Sequence, residues 1–213
     1  MRAVIFDLWD TLVDWPVEEG ERLKRMVAEQ VGLRAEEFER RWRASFRASQ
    51  TGPLAEAYRF IGVPEHHVER HVAARHQFAR QALRLRDGAR EAITELRRRG
   101  LRLGLISVCS EEVPATWPES ELAGLFDTET FSSECGLVKP DPEIYLRTAA
   151  ALEVEASDCV FVGDGANDEL AGAERVGMTA VLFAPHGREP LWPEVRAWAG
   201  LRVSSLREVV ELC

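Results

Sequence analysis

The chain has 213 residues, 46% hydrophobic and 30% charged, with a formal net charge of −9. That length supports a sizeable core plus a smaller module without covalent staples, and the negative balance argues against nucleic acid, whose binding rests on cationic contacts to phosphate. The four cysteines, Cys109, Cys135, Cys159 and Cys213, have no CxxC or zinc-type spacing, so reduced thiols in a cytoplasmic protein are expected.

Ala3 to Val13 read AVIFDLWDTLV, which predicts a buried strand, Ala3 to Asp7, running into a short polar turn with Asp10 and Thr11. Asp7 and Asp10 interrupt the apolar run where a signal peptide would continue, and no run approaches the ~20 residues of a bilayer span. No membrane partner is therefore expected. A carboxylate at the tip of a buried strand is a candidate nucleophile or metal ligand; the alternative is an Asp that merely caps a turn.

From Val17 to about Arg84 apolar residues recur three or four apart, as in Leu23, Val27 and Val31, then Phe38, Trp42 and Phe46, which predicts helices. Gly32, Gly52 and Gly62 punctuate them, with Pro53 and Pro64 opening the next ones. About four helices are expected over residues 15–86, a segment of net charge +4 against −13 for the remainder. A basic module within an acidic chain suits a small anionic ligand, although a solvated helical face is the expected place of most of those arginines.

After Asp87-Gly88 the pattern alternates. A helix with Ala92, Ile93 and Leu96 precedes an apolar strand over Leu101 to Ser107, and two further strands span Cys159 to Gly163 and Thr179 to Ala184. Helices over Pro142 to Leu152 and Asp168 to Val176 separate them. Short apolar strands between amphipathic helices predict an α/β, doubly wound parallel sheet. The first strand joins it, so the core comprises residues 1–14 and 87–213, with residues 15–86 as a separate helical module.

In such sheets ligands sit beyond the carboxyl ends of the strands. That rule gathers Asp7, Ser107, Asp164 with Gly165, Asn167, Asp168 and Glu169, and Lys139 in GLVKPDPEIY, where Asp141 caps the helix opened by Pro142. Carboxylates suit a hard cation such as magnesium, while a hydroxyl, an ammonium and backbone N–H groups suit phosphate oxygens.

Four fragments, FDLWDTLVD from Phe6, Ser107 after LGLI, KPDPEIY from Lys139 and VGDGANDELAGA from Val162, resemble in order the motifs of the haloacid dehalogenase (HAD) superfamily. The resemblance covers essentially the whole chain and is to the branch with a helical cap inserted after the first motif. It implies a Rossmann-like core, Mg2+ as cofactor and phosphatase action through an aspartyl-phosphate at Asp7. It further implies metal ligation by Asp7, the Trp9 backbone carbonyl, Asp164, and Asp168 or Glu169, with Asp168 slightly preferred. Ser107 and Lys139 would serve the phosphate and orient Asp7, the Thr11 hydroxyl would support the loop, and Arg43 is a cap candidate for substrate contact. Crossings near Asp14 to Pro16 and Arg86 to Gly88 are the expected hinges of a moving cap.

One position departs from the pattern. Phosphatases of the superfamily usually place a general-acid Asp two residues after the nucleophile, and here that residue is Trp9. Asp10, one residue on, would face the opposite side of an extended strand. An aromatic at Trp9, with Trp42-Arg43 and Tyr145, raises the alternative of a 2-haloacid dehalogenase, against which stand Asp164 and Val108. Loss of the acid would also fit a catalytically weak ligand-binding module. His67 and His71 have i, i+4 spacing but no third ligand nearby, and a solvated face is expected for them.

Overall fold

Ala3–Phe6 forms β1, with all four residues buried, as a central parallel strand covered on both faces requires. In the computed structural model, which describes residues 1–185, 192 and 195–213, four helices follow β1: α1 (Val17–Val31), α2 (Ala35–Thr51), α3 (Leu54–Ile61) and α4 (Glu65–Ala82). The chain then alternates through α5 (Ala89–Arg98), β2 (Arg102–Ser107), α6 (Glu112–Thr116), β3 (Thr128–Phe131), α7 (Ser132–Cys135) and α8 (Pro142–Ala151). It ends with β4 (Cys159–Gly163), α9 (Glu169–Arg175), β5 (Thr179–Phe183), β6 (Leu201–Val203) and α10 (Leu206–Leu212). The six strands lie in the order β3-β2-β1-β4-β5-β6, and every pairing is parallel. This is a Rossmann-like, doubly wound parallel sheet.

Side-chain alternation along the strands divides the core into two layers. Val4 and Phe6 of β1 join Leu103, Leu105, Val160 and Val162 beneath α5 and α10. Ala3 and Ile5 face the other way, with Ile106 and Phe161, against Ile144 and Tyr145 of α8 and Leu170 of α9. The edge strands β3 and β6 lie outside the strands expected from sequence. Their segments, TETF and LRV, are short and partly exposed, so they lack the continuous apolar run of a strand buried on both faces.

The four helices of residues 17–82 carry an apolar cluster of their own, in which Val27 of α1 and Phe38 of α2 meet Leu54, Tyr58 and Ile61 of α3 and Val68 of α4. Phe46, read as part of the apolar stripe of α2, is instead 52% exposed. Several contacts tie these helices to the sheet. Arg75 of α4 pairs with the buried Glu112 of α6, and the Leu54 N–H donates to Glu111 Oε1 at 3.2 Å. At the chain crossings Arg86 pairs with Asp14 at 2.5 Å, and the Arg86 N–H donates to the Leu12 carbonyl at 2.8 Å. Among the described residues no helix is long and apolar enough to cross a membrane.

His71 of α4 is only 3% exposed, so a solvated face does not describe it. Its Nε2 has no hydrogen-bond partner, and its ring lies 5.5 Å from that of Tyr58. Burial, aided by the charges of Arg70 and His67, holds its pKa below the ordinary value of 6.5. The folded state therefore binds this proton less readily than the unfolded chain. The contribution to stability is full above pH 6.5 and is lost as pH falls through the folded-state pKa. Chemical denaturation of His71→Phe between pH 8 and pH 5 is expected to show a smaller loss of stability than wild type.

Arg75→Ala leaves Glu112 buried without its cation, a change that costs roughly 3 kcal/mol or more. Urea unfolding at pH 7 measures it. Arg75→Met combined with Glu112→Leu should lie much closer to wild type, because it removes both charges.

Candidate active site

Asp7 follows β1 directly, and its N–H donates to the Val162 carbonyl at 2.8 Å, so the β1–β4 ladder reaches the residue and fixes its backbone. Asp164 stands at the equivalent end of β4, immediately after Gly163. Both are buried, and oxygens of Asp7, Asp164 and Glu169 lie within 4.8 Å of one another. Lys139 comes in from the segment before α8. Its buried Nζ donates to Asp7 Oδ1 in a short contact, to Glu169 Oε2 at 2.5 Å and to the Ile106 carbonyl at 3.4 Å. Charge-assisted bonds of this kind are the strong ones, and here they hold two carboxylates on one ammonium.

The second acidic position of the fourth motif is corrected by the backbone. Gly165 has φ +89°, and Asn167 and Asp168 also take left-handed conformations, at φ 53° and 55°. This turn leaves Asp168 exposed and directs Glu169 inward, fully buried. Glu169 Oε1 accepts from the Gly165 N–H at 2.9 Å, and its carbonyl accepts from the Tyr145 hydroxyl at 2.8 Å. Glu169, and not the slightly preferred Asp168, therefore joins the cluster. Tyr145 braces it from α8.

The electrostatics follow from burial. Burial works against charge on Lys139, but the Asp7 and Glu169 carboxylates overcome it and raise its pKa. Glu169 is raised by burial, opposed by Lys139. Burial, and then the charge of Asp7, pushes Asp164 up to about 6. Three carboxylates thus face one ammonium. The oxygens are hard donors, and the two uncompensated negative charges match a divalent cation, so the donor set fits magnesium.

Ser107 is fully buried at the end of β2. Its Oγ has no hydrogen-bond partner beyond a weak interaction with the Cys109 thiol, and a buried hydroxyl left in that state is available to a ligand oxygen. Thr11 Oγ1 is likewise buried and unpartnered, so no hydroxyl bond braces the loop as expected. Asp10 takes φ 57°; it is not in an extended strand, and the alternation argument does not apply to it. Its Oδ1 accepts from the Trp15 N–H at 3.2 Å, and burial raises its pKa against that bond and against Arg86. The Trp9 ring packs edge-on to Trp15 at 5.0 Å and near Phe78 of α4 at 6.5 Å. Arg43 is exposed on α2 and lies outside the buried cluster.

One contact escaped the sequence. The Trp192 indole N–H donates to Asp164 Oδ2 at 2.7 Å, while the Ala166 N–H donates to Oδ1 at 3.1 Å. No motif marks a tryptophan 28 residues downstream of the acid it contacts.

The chain is similar to known proteins in sequence and in fold. The family model for haloacid dehalogenase-like hydrolases matches residues 1–177. A protein named phosphatase MT3486, from Mycobacterium tuberculosis (strain CDC 1551 / Oshkosh), is 33% identical over 199 residues, covering 87% of this chain and 88% of the relative. The phosphoserine phosphatase of Thermus thermophilus is 36% identical over 121 residues, covering 55% of this chain and 46% of the relative. Among solved structures, the HAD phosphatase from Thermococcus onnurineus superposes with a TM-score of 0.73 at 18% identity, covering 100% of this chain and 97% of that one. The 2-haloacid dehalogenase from Pseudomonas syringae pv. Tomato DC3000 does so at 0.71 and 23% identity, with the same coverage. At such identities the superpositions speak to the fold alone. The chain belongs to the haloacid dehalogenase-like hydrolase family. It is accordingly a hydrolase.

The inward turn of Glu169 depends on Gly163. A Cβ there would lie 2.1 Å from Glu169 Oε1, an overlap that requires the carboxylate to leave its bonds to Lys139 and the Gly165 N–H. Gly163→Ala is expected to lower the thermal midpoint by several degrees, consistent with a cost of about 2 kcal/mol or more from overpacking and a disturbed buried ion pair. Differential scanning calorimetry checks this.

Proposed function

We propose that the protein is a magnesium-dependent phosphatase that hydrolyses a small phosphorylated metabolite through an aspartyl-phosphate at Asp7. The observation that carries this reading is the buried cluster of Asp7, Asp164 and Glu169, two of which, Asp7 and Glu169, pair with the Lys139 ammonium, beside the Ser107 hydroxyl. The printed names of the relatives, phosphatases of phosphoserine and glyceraldehyde 3-phosphate, favour small phosphorylated substrates.

Asp7, the Trp9 carbonyl and Asp164 would hold magnesium, with Glu169 as the neighbouring carboxylate. When bound, the ion offsets the charge between an anionic nucleophile and an anionic phosphoryl group. Lys139 holds one oxygen of Asp7 and so orients the carboxylate toward phosphorus. The Asp7 oxygen forms a bond to phosphorus as the bond to the leaving-group oxygen breaks. Water then attacks the same phosphorus, the acyl-phosphate bond breaks, and the carboxylate is regenerated with release of inorganic phosphate. Ser107 donates to a phosphoryl oxygen and Lys139 offsets the charge that develops there. Residues 15–86 act as a cap over the site, and closure excludes water and selects the substrate.

Trp9 limits the substrates. Its ring is committed to Trp15 and Phe78, and it offers no proton to a leaving group. General acid catalysis contributes about 10²- to 10⁴-fold, so acyl phosphates, whose leaving groups need little protonation, are expected to turn over at least about 10²-fold faster than alkyl monoesters.

An aromatic at Trp9 is the observation that favours the second reading, a 2-haloacid dehalogenase. The Asp164 and Glu169 carboxylates beside Asp7 oppose it, since they would repel a departing halide. Incubation with phosphomonoesters, acyl phosphates and 2-haloacids, with and without magnesium, separates the readings. Phosphate release that requires magnesium and falls by several orders of magnitude in Asp7→Asn is the expected result. In the same assay Asp168→Ala should stay within about threefold of wild type, as befits an exposed residue, while Glu169→Ala should not. Metal-independent halide release would establish the dehalogenase instead, and magnesium binding without turnover of any compound would leave a ligand-binding module.

A further inference from the structure

We propose that Trp192 is a positioning residue that presents Asp164 to the divalent cation. This inference rests on the magnesium-dependent reading above. Each oxygen of Asp164 accepts one hydrogen bond from a neutral donor, Oδ2 from the Trp192 indole at 2.7 Å and Oδ1 from the Ala166 N–H at 3.1 Å. Two donors on opposite oxygens fix the carboxylate plane without neutralising it, and a carboxylate oxygen that accepts one bond keeps a lone pair for a metal. Lys139 bonds the other two carboxylates of the cluster and does not bond Asp164. The indole is thus the only side-chain donor to Asp164 among the described residues.

The indole is not held to the site by this bond alone. Trp192 packs against the apolar layer that contains Phe161 and Leu182, and its carbonyl accepts from the Val195 N–H at 3.2 Å. Val195 is buried, and a Cβ on Gly165 would lie 2.3 Å from its Cγ1, so Val195 is seated directly on the residue that follows Asp164. Gly165 therefore serves two purposes: it takes the left-handed turn at φ +89°, and it admits the segment that carries the indole. Partners that orient a ligating carboxylate typically matter by about 10- to 100-fold in metal affinity.

The test is magnesium binding by the full chain, measured by isothermal titration calorimetry without substrate. Trp192→Phe keeps a ring in the apolar layer and removes the N–H. It is expected to weaken magnesium binding by about 10- to 100-fold, with a thermal midpoint close to wild type and an unchanged KM for acetyl phosphate at saturating magnesium. A variant with wild-type magnesium affinity would overturn the proposal while leaving the phosphatase reading intact. Wild-type protein that binds no magnesium would overturn that reading, and the proposal with it.

A second measurement does not depend on the variant's fold in the assay. The indole ¹⁵N–¹H resonance of Trp192, assigned by its loss in Trp192→Phe, is expected to move on magnesium titration of wild type and to stay in place in Asp164→Asn. A resonance that stays in place while wild type binds magnesium would overturn the proposal.

Discussion

The buried ammonium of Lys139 between Asp7 and Glu169 is the interaction on which the rest of this site depends. Taking charges out of water costs several kcal/mol per ion, and only close, well-directed pairing offsets it. The fold meets that requirement by placing the partners on rigid supports. Asp7 is tied to β4 through its own N–H, Lys139 leads into α8, whose N-cap Asp141 accepts from the Glu143 N–H, and Glu169 opens α9 under the Tyr145 hydroxyl. Asp164 lies outside the Lys139 bonds. Burial first, and then the charge of Asp7, raises its pKa.

Close approach of neighbouring groups explains the two glycines that flank Asp164. Gly163 leaves room for the Glu169 side chain, and Gly165 leaves room for Val195. Neither glycine is a mere turn element: each removes a Cβ where two other groups must approach. The Asp164 loop is consequently packed from both sides, by α9 on one and by Trp192 and Val195 on the other.

Much of this was legible in the sequence. Strands β1, β2, β4 and β5 are continuous apolar runs, and their burial on both faces explains why the pattern was strong. The edge strands were not legible, since β3 and β6 have one open side and correspondingly mixed side chains. The adjacent acids Asp168 and Glu169 were equally suitable by spacing. Two successive left-handed residues decide between them, and backbone conformation at Asn-Asp steps is a local choice that motif spacing does not carry. Asp10 failed for a related reason, because period-two alternation holds only while the chain is extended, and β1 ends at Phe6. Trp192 left no trace, since its contact with Asp164 is made by tertiary packing alone.

The first motif joins chemistry to packing over a few residues. Asp7 faces the Lys139 ammonium, while Trp9, two positions on, closes an aromatic cluster with Trp15 and Phe78, against which the Arg75 guanidinium lies 5.1 Å from the Phe78 ring. Arg75 is in turn bound to Glu112, which lies in the short helix after Ser107. A chain of contacts therefore runs from the loop after Asp7 through the helical segment and back to the loop beyond Ser107. A phosphatase acid at position 9 would be a small carboxylate with little packing surface. The tryptophan is instead a hydrophobic anchor between the sheet and the helices of residues 17–82, packed on Trp15 and Phe78.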